Sequence, residues 1–151
     1  MDARPARLLL AFDFGLRRIG VASGDVFSGL ATPRPPVLVP ASGIPWDQVL
    51  DTVRRHGPDL LLVGAPYNDD GTPARIAAAA DGFAAGLATR SGLPVARVDE
   101  RFSSVEAASL LKDQRAAGQH RRLRRGDVDS GAAAVILGSW LRQQDSRNRT
   151  A

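Results

Sequence analysis

Asp13 in "LLLAFDFG", the neighbours Asp99 and Glu100 in "VDERFSSVEA", and Asp129 in "RGDVDSGAAAVILGSWL" are acids placed where carboxylate chemistry could be organised. Asp13 is the one charge in an apolar run, Leu8 to Gly15, that reads as a buried strand. A carboxylate in apolar surroundings protonates, pairs with a cation or binds a metal. Several carboxylates converging on one point would repel each other without a cation, and hard divalent ions such as Mg²⁺ or Mn²⁺ suit an all-oxygen ligand set. Two such ions about 4 Å apart polarise a phosphate, activate the attacking water and stabilise the leaving oxygen, which is the chemistry of phosphodiester hydrolysis.

For this chemistry the acids must be brought together, and the segment pattern supplies a way. Strand-like and helix-like stretches alternate with Gly, Pro and Asp punctuation, an α/β layout. Arg7 to Phe14 reads as a central strand, and Gly15 to Arg18 as a tight turn into an antiparallel partner, Ile19 to Ser23. A third strand is expected around Val37 to Val39. Trp46, Val49, Leu50 and Val53 repeat at helical spacing, so Pro45 to His56 should be an amphipathic helix ended by Gly57 and Pro58. "DLLLVG", Asp59 to Gly64, has the continuous apolar character of a strand covered on both faces. Pro73 to Arg90 is alanine-rich and favours helix, and Val95 to Val98 reads as strand. Ser103 and Glu106 fit a capping box for a further helix. A last helix is expected from about Asp127 to Gln144, with Ala132, Val135, Ile136, Ser139 and Trp140 on its inner face. Asp129 precedes Ala132 by three residues and so shares that face, whereas Asp127 falls on another side. Asp13, the Asp99–Glu100 pair and Asp129 thus lie near strand ends or a helix start, where ligand sites of open sheets gather.

Composition excludes several alternatives. The 151 residues suit one domain, expected over residues 1–144 with a disordered tail, 145–151. No stretch approaches the roughly 18 apolar residues of a membrane span, and the N-terminus lacks the apolar region of a secretory signal, so a cytoplasmic protein is expected. There is no cysteine, and His56 and His120 are far apart, so thiolate chemistry is excluded and a zinc site is disfavoured. The net charge of +4 favours a polyanionic partner.

"LAFDFGLRRIGVASGD", "LLVGAPYNDDGT", "VDERFSSVEA" and "RGDVDSGAAAVILGSWL" together resemble the signature blocks of the YqgF/RuvX family, Holliday-junction-resolvase-like nucleases linked to pre-16S ribosomal RNA processing. The resemblance runs from about Leu8 to Leu141. It implies a ribonuclease H-like fold with a mixed five-stranded sheet flanked by helices. It also implies that Asp13, Glu100 and Asp129 are the catalytic, metal-binding acids, with pre-16S rRNA or branched DNA as substrate and ribosomal assembly intermediates as partners. Leu16 replaces a small hydroxyl residue, Ala65 a leucine, and Ser103 and Ser104 threonines; none of these changes removes a carboxylate.

Simpler readings stand beside these. Asp13 could pair with Arg17 or Arg18 and need no metal. Alternation puts Asp99 and Glu100 on opposite faces of their strand without saying which face holds the site, and Glu100 is chosen by resemblance. Asp129 could merely complement a helix dipole. Arg17, Arg18, Arg101 and the run "HRRLRR", with Arg121, Arg122, Arg124 and Arg125, are candidate phosphate contacts, as is Asn68 in the loop "GAPYNDDGT". A charge run can equally be a solvated loop, and the turn-rich loop a plain connection. No aromatic interleaving points to base stacking. The "DFG" hairpin also resembles the phosphate-binding turn of actin-like and sugar-kinase ATPases, which need two copies of this core where the chain has room for one. A non-catalytic RNA-binding assembly factor and a Holliday junction DNA endonuclease are the remaining alternatives.

Overall fold

The computed structural model describes residues 7–66, 75–99 and 130–150, with side chains described through 144. Five strands, β1 (Leu8–Phe14), β2 (Arg18–Asp25), β3 (Leu30–Leu38), β4 (Leu60–Ala65) and β5 (Val95–Asp99), form one sheet in the order β3-β2-β1-β4-β5. β1, β2 and β3 are an antiparallel meander, while β4 and β5 run parallel to β1. This is the mixed five-stranded sheet expected from the resemblance. α1 (Trp46–His56) precedes β4, α2 (Ala77–Ser91) links β4 to β5, and α3 (Gly131–Thr150) closes the chain.

Alternation along the strands divides the core into two halves. Leu10, Phe12, Ile19, Val21, Leu61 and Val63 pack on one face with Val49 and Val53 of α1 and Phe83, Ala84 and Leu87 of α2. Leu9, Ala11, Ala22, Leu62 and Val98 pack on the other face with Ala133, Ala134, Ile136 and Leu137 of α3. β1 and β4 are apolar on both faces because both are covered. Close approach of α3 requires Gly24 on β2, where an added Cβ would stand 2.5 Å from a Leu137 methyl and 2.8 Å from the Leu30 carbonyl.

β2 runs beyond the expected Ile19 to Ser23, α2 begins at Ala77 within the expected Pro73 to Arg90, and two larger departures have a physical cause. β3 spans Leu30–Leu38, far longer than Val37 to Val39. Pro33, Pro35 and Pro36 make this stretch read as loop, yet β3 lies at the sheet edge, where a missing N–H is tolerated. The last helix continues to Thr150 and does not end at Gln144. Its final residues lack apolar periodicity but contain neither Gly nor Pro, so an established helix can propagate through them. The helix expected at Ser103 falls outside the described residues. Among the described residues no helix is long and apolar enough to cross a membrane.

Candidate active site at the carboxyl ends of the parallel strands

Phe12 and Phe14 set the direction of Asp13. Both pack against Phe83 of α2, Phe12 edge-on at 5.7 Å between ring centroids and Phe14 stacked at 5.2 Å. Successive strand residues point to opposite faces, so Asp13 projects from the face that α3 covers. Its two strand neighbours on this face are glycines. Asp13 pairs with Gly20 of β2, and Phe12 pairs with Val63, which sets Gly64 of β4 beside Asp13 on the other side. The residues directly opposite Asp13 on the two neighbouring strands therefore place no side chain beside the carboxylate. Asp13 is half-buried, Gly20 and Gly64 are buried, and no residue among those described pairs with the Asp13 carboxylate by hydrogen bond or ion pair.

The turn after β1 has a specific steric cause. An added Cβ on Gly15 would stand 2.5 Å from the Arg18 carbonyl oxygen, so the chain can close the hairpin this tightly only with glycine. Arg17 and Arg18 follow directly. The Arg17 carbonyl accepts the Val39 N–H at 2.8 Å, which ties the turn to the end of β3. Among the described contacts no ion pair joins Asp13 to Arg17 or Arg18.

β5 supplies a parity that the sequence alone left open. Ala96 and Val98 pack on the α3 face, the face of Asp13. Arg97 belongs to the other face, where its guanidinium donates to the carboxylate of Asp81 on α2 at 2.7 Å and to the Gly64 carbonyl at 3.1 Å. Asp99 shares the parity of Arg97, so its side of the strand is not that of Asp13. Arg97 also braces the exit of β4 beside the site through the Val63 carbonyl, at 3.3 Å.

Glu100, Asp129, Asn68, Arg101, Arg121, Arg122, Arg124 and Arg125 lie outside the described residues. Among the described residues no three acids or histidines gather. Asp13 itself suits a hard divalent ion: it is a half-buried oxygen ligand with no described protein partner, on a glycine floor.

Sequence reasoning missed Ser130. Its hydroxyl, fully buried, accepts the Val21 N–H at 3.1 Å and donates to the Arg34 carbonyl at 2.6 Å. Val21 and Arg34 are register partners across β2 and β3, so the start of α3 is tied into the sheet one residue from Gly20. A serine next to an acid at the expected start of a helix was the signal available in "DVDSGAAA", but such a serine ordinarily caps its own helix.

Comparison with known proteins agrees with this geometry. A family model described as RuvX, Holliday junction resolvase, matches residues 7–143. A protein of Azotobacter vinelandii named "Putative pre-16S rRNA nuclease" is 42% identical over 139 residues, covering 91% of this chain and 95% of its own. A protein of Escherichia coli O7:K1 with the same name is 41% identical over 135 residues, covering 89% and 96%. Among solved structures, Thermus thermophilus RuvC in complex with a Holliday junction substrate superposes with a TM-score of 0.62 at 16% identity, covering 93% of this chain and 96% of that one. The fowlpox virus Holliday junction resolvase superposes at 0.55 with 11% identity, covering 90% and 99%. At such identities the structural likeness establishes the shared fold, while the family match and the closer relatives establish descent: the chain belongs to the RuvX family.

Proposed function

We propose that this protein is a metal-dependent nuclease that hydrolyses phosphodiester bonds in 5′-end processing of pre-16S rRNA, a cytoplasmic step of ribosome biogenesis. The observation that carries the reading is Asp13: a half-buried carboxylate without a described protein partner, at the carboxyl end of parallel strands, between two glycines. The names of relatives at about 41% identity support the choice of RNA. In this reading Asp13, Glu100 and Asp129 hold Mg²⁺ or Mn²⁺; Asp99, the other acid of the pair, shares the parity of Arg97 on β5, away from the face of Asp13. Bound ions in a two-metal arrangement supply Lewis acidity for activating water and stabilising charge on the phosphate.

The chain's own residues do the rest. Gly20 and Gly64 leave the floor beside Asp13 free of side chains, so a phosphate can approach the carboxylate closely. Arg17, Arg18 and Arg101, with Arg121, Arg122, Arg124 and Arg125, neutralise neighbouring phosphates and hold the strand in register, and Asn68 adds a polar contact from its loop. Such contacts position a substrate without reading its bases, so partners would be pre-16S rRNA within ribosomal assembly intermediates, selected by structure more than by sequence.

The test is cleavage by the purified chain of a structured RNA carrying the pre-16S 5′ junction, and of a four-way DNA junction, with Mg²⁺ or Mn²⁺ and with chelator. Metal-dependent RNA cleavage is expected. Turnover of the DNA junction alone would assign the site to branched DNA, and cleavage of neither would leave an RNA-binding assembly factor.

A further inference from the structure

Ser130 occupies an unusual position for a serine at a helix start. Its carbonyl accepts the Ala134 N–H at 3.1 Å and so begins the α3 hydrogen-bond series, the role of an N-cap residue. Its side chain does something else. The single hydroxyl proton goes to the Arg34 carbonyl on β3, and a lone pair takes the Val21 N–H on β2. These two groups face each other across the ladder, and the hydroxyl bridges them at the point where the β2–β3 register shifts between Ile19 and Val21.

The reason for the break lies in β3. Pro35 and Pro36 follow Arg34 and have no N–H to donate, so regular pairing lapses opposite Gly20. Gly20 is in turn the register partner of Asp13 on its other side. The bulge, Gly20 and Asp13 therefore lie in one line across three strands, and Ser130 is tied into that line from the α3 face. The residue preceding Ser130 in the sequence is Asp129, one of the acids of the site proposed above.

We infer that Ser130 is a positioning residue for the metal site proposed above: its hydroxyl, inserted in the β2–β3 ladder, holds the start of α3 beside Asp13. The inference rests on that reading of the site. It gives the bulge a purpose, because in an unbroken ladder the Val21 N–H would already be taken by β3 and could not be offered to a third element. Groups that orient metal ligands without touching the ion commonly change metal affinity about 10- to 100-fold when removed.

The experiment titrates Mn²⁺ into the full folded chain by calorimetry and reads the midpoint of the binding curve, with each variant's metal-free melting temperature measured beside it. Ser130→Ala should shift the midpoint at least about tenfold higher. Ser130→Thr, which keeps the hydroxyl, should stay close to wild type. Leu137→Ala weakens the same helix through its packing on Gly24 and leaves the ladder untouched, so it should lower the melting temperature without moving the midpoint. Equal midpoints for Ser130→Ala and wild type, or equal shifts in Ser130→Ala and Leu137→Ala, overturn the positioning role while leaving the metal site intact. Absence of any Mn²⁺ response in the wild type overturns the metal reading, and this inference with it. Should Ser130→Ala not fold, Ser130→Cys takes its place: a weaker hydrogen bonder of similar size should still raise the midpoint, and an unchanged midpoint overturns the role.

Discussion

Asp13 was legible because a single acid interrupts an apolar strand, and the cost of burying it demands a cause. What the sequence could not convey was its isolation. Gly20 and Gly64 flank it only through the pairing of three strands, and Phe12 and Phe14 fix its direction through Phe83 on a distant helix. Ser130 stayed hidden for the same reason, since its partners Val21 and Arg34 are about a hundred residues away in the chain. The isolation of Asp13 gives a signed prediction. Asp13→Asn keeps the size of the side chain and removes a charge that no described group balances, so metal-free urea unfolding should show stability within about 0.5 kcal/mol of wild type or slightly higher. A loss of about 3 to 5 kcal/mol would instead mark a broken buried ion pair. Gly15 offers a second one. Its Cβ would meet a backbone oxygen at 2.5 Å, and Gly15→Ala should therefore destabilise by about 1 to 3 kcal/mol in the same assay.

At the scale of elements, helices with strong periodicity and the continuous apolar strands appear where spacing put them: α1 begins at Trp46 and stops at Gly57, whose φ of 56° is the left-handed end expected of a glycine cap. β3 was shortened by its prolines, and only its edge position explains why three of them fit. α1 also ends on a titratable group. The pKa of His56 is lowered from 6.5, first by burial and then by the nearby charges of Arg34 and Arg55. The helix carboxyl end favours the charged imidazole but does not outweigh these. A depressed histidine pKa means that the unfolded chain binds the proton more readily, so its contribution to stability is full above pH 6.5 and is lost as pH falls from 6.5 through the folded value. His56→Gln should flatten the dependence of melting temperature on pH over that window; an unaltered slope would assign the dependence to other groups. The arginine segment gives another element-level expectation. Replacing Arg121, Arg122, Arg124 and Arg125 by alanine should weaken binding similarly across RNA sequences and flatten its salt dependence, because phosphate contacts release counterions without reading bases. Unchanged affinity and slope in a salt-series binding assay would make the segment a solvated loop.

The whole molecule separates two tasks across one sheet. The face toward α1 and α2 carries the aromatic contacts of Phe12, Phe14 and Trp46 on Phe83 and the Arg97–Asp81 pair, and it holds the strands in register. The α3 face presents Asp13 on its glycine floor, with Ser130 tying the helix start to the sheet. The α/β layout could be read from alternating segment types, but the division of labour between faces needed the strand order, since parity has no sign until a helix covers one side. The central claim is that the uncrowded carboxylate on the α3 face holds a divalent cation. Calorimetric titration of Mn²⁺ into the wild-type chain and into Asp13→Asn, both verified as folded, tests it most directly. Binding in the wild type and at least about tenfold weaker binding in the variant are predicted, since a lost carboxylate removes both charge and a ligand from a hard-ion site. Equal Mn²⁺ affinity in the two proteins would contradict the account.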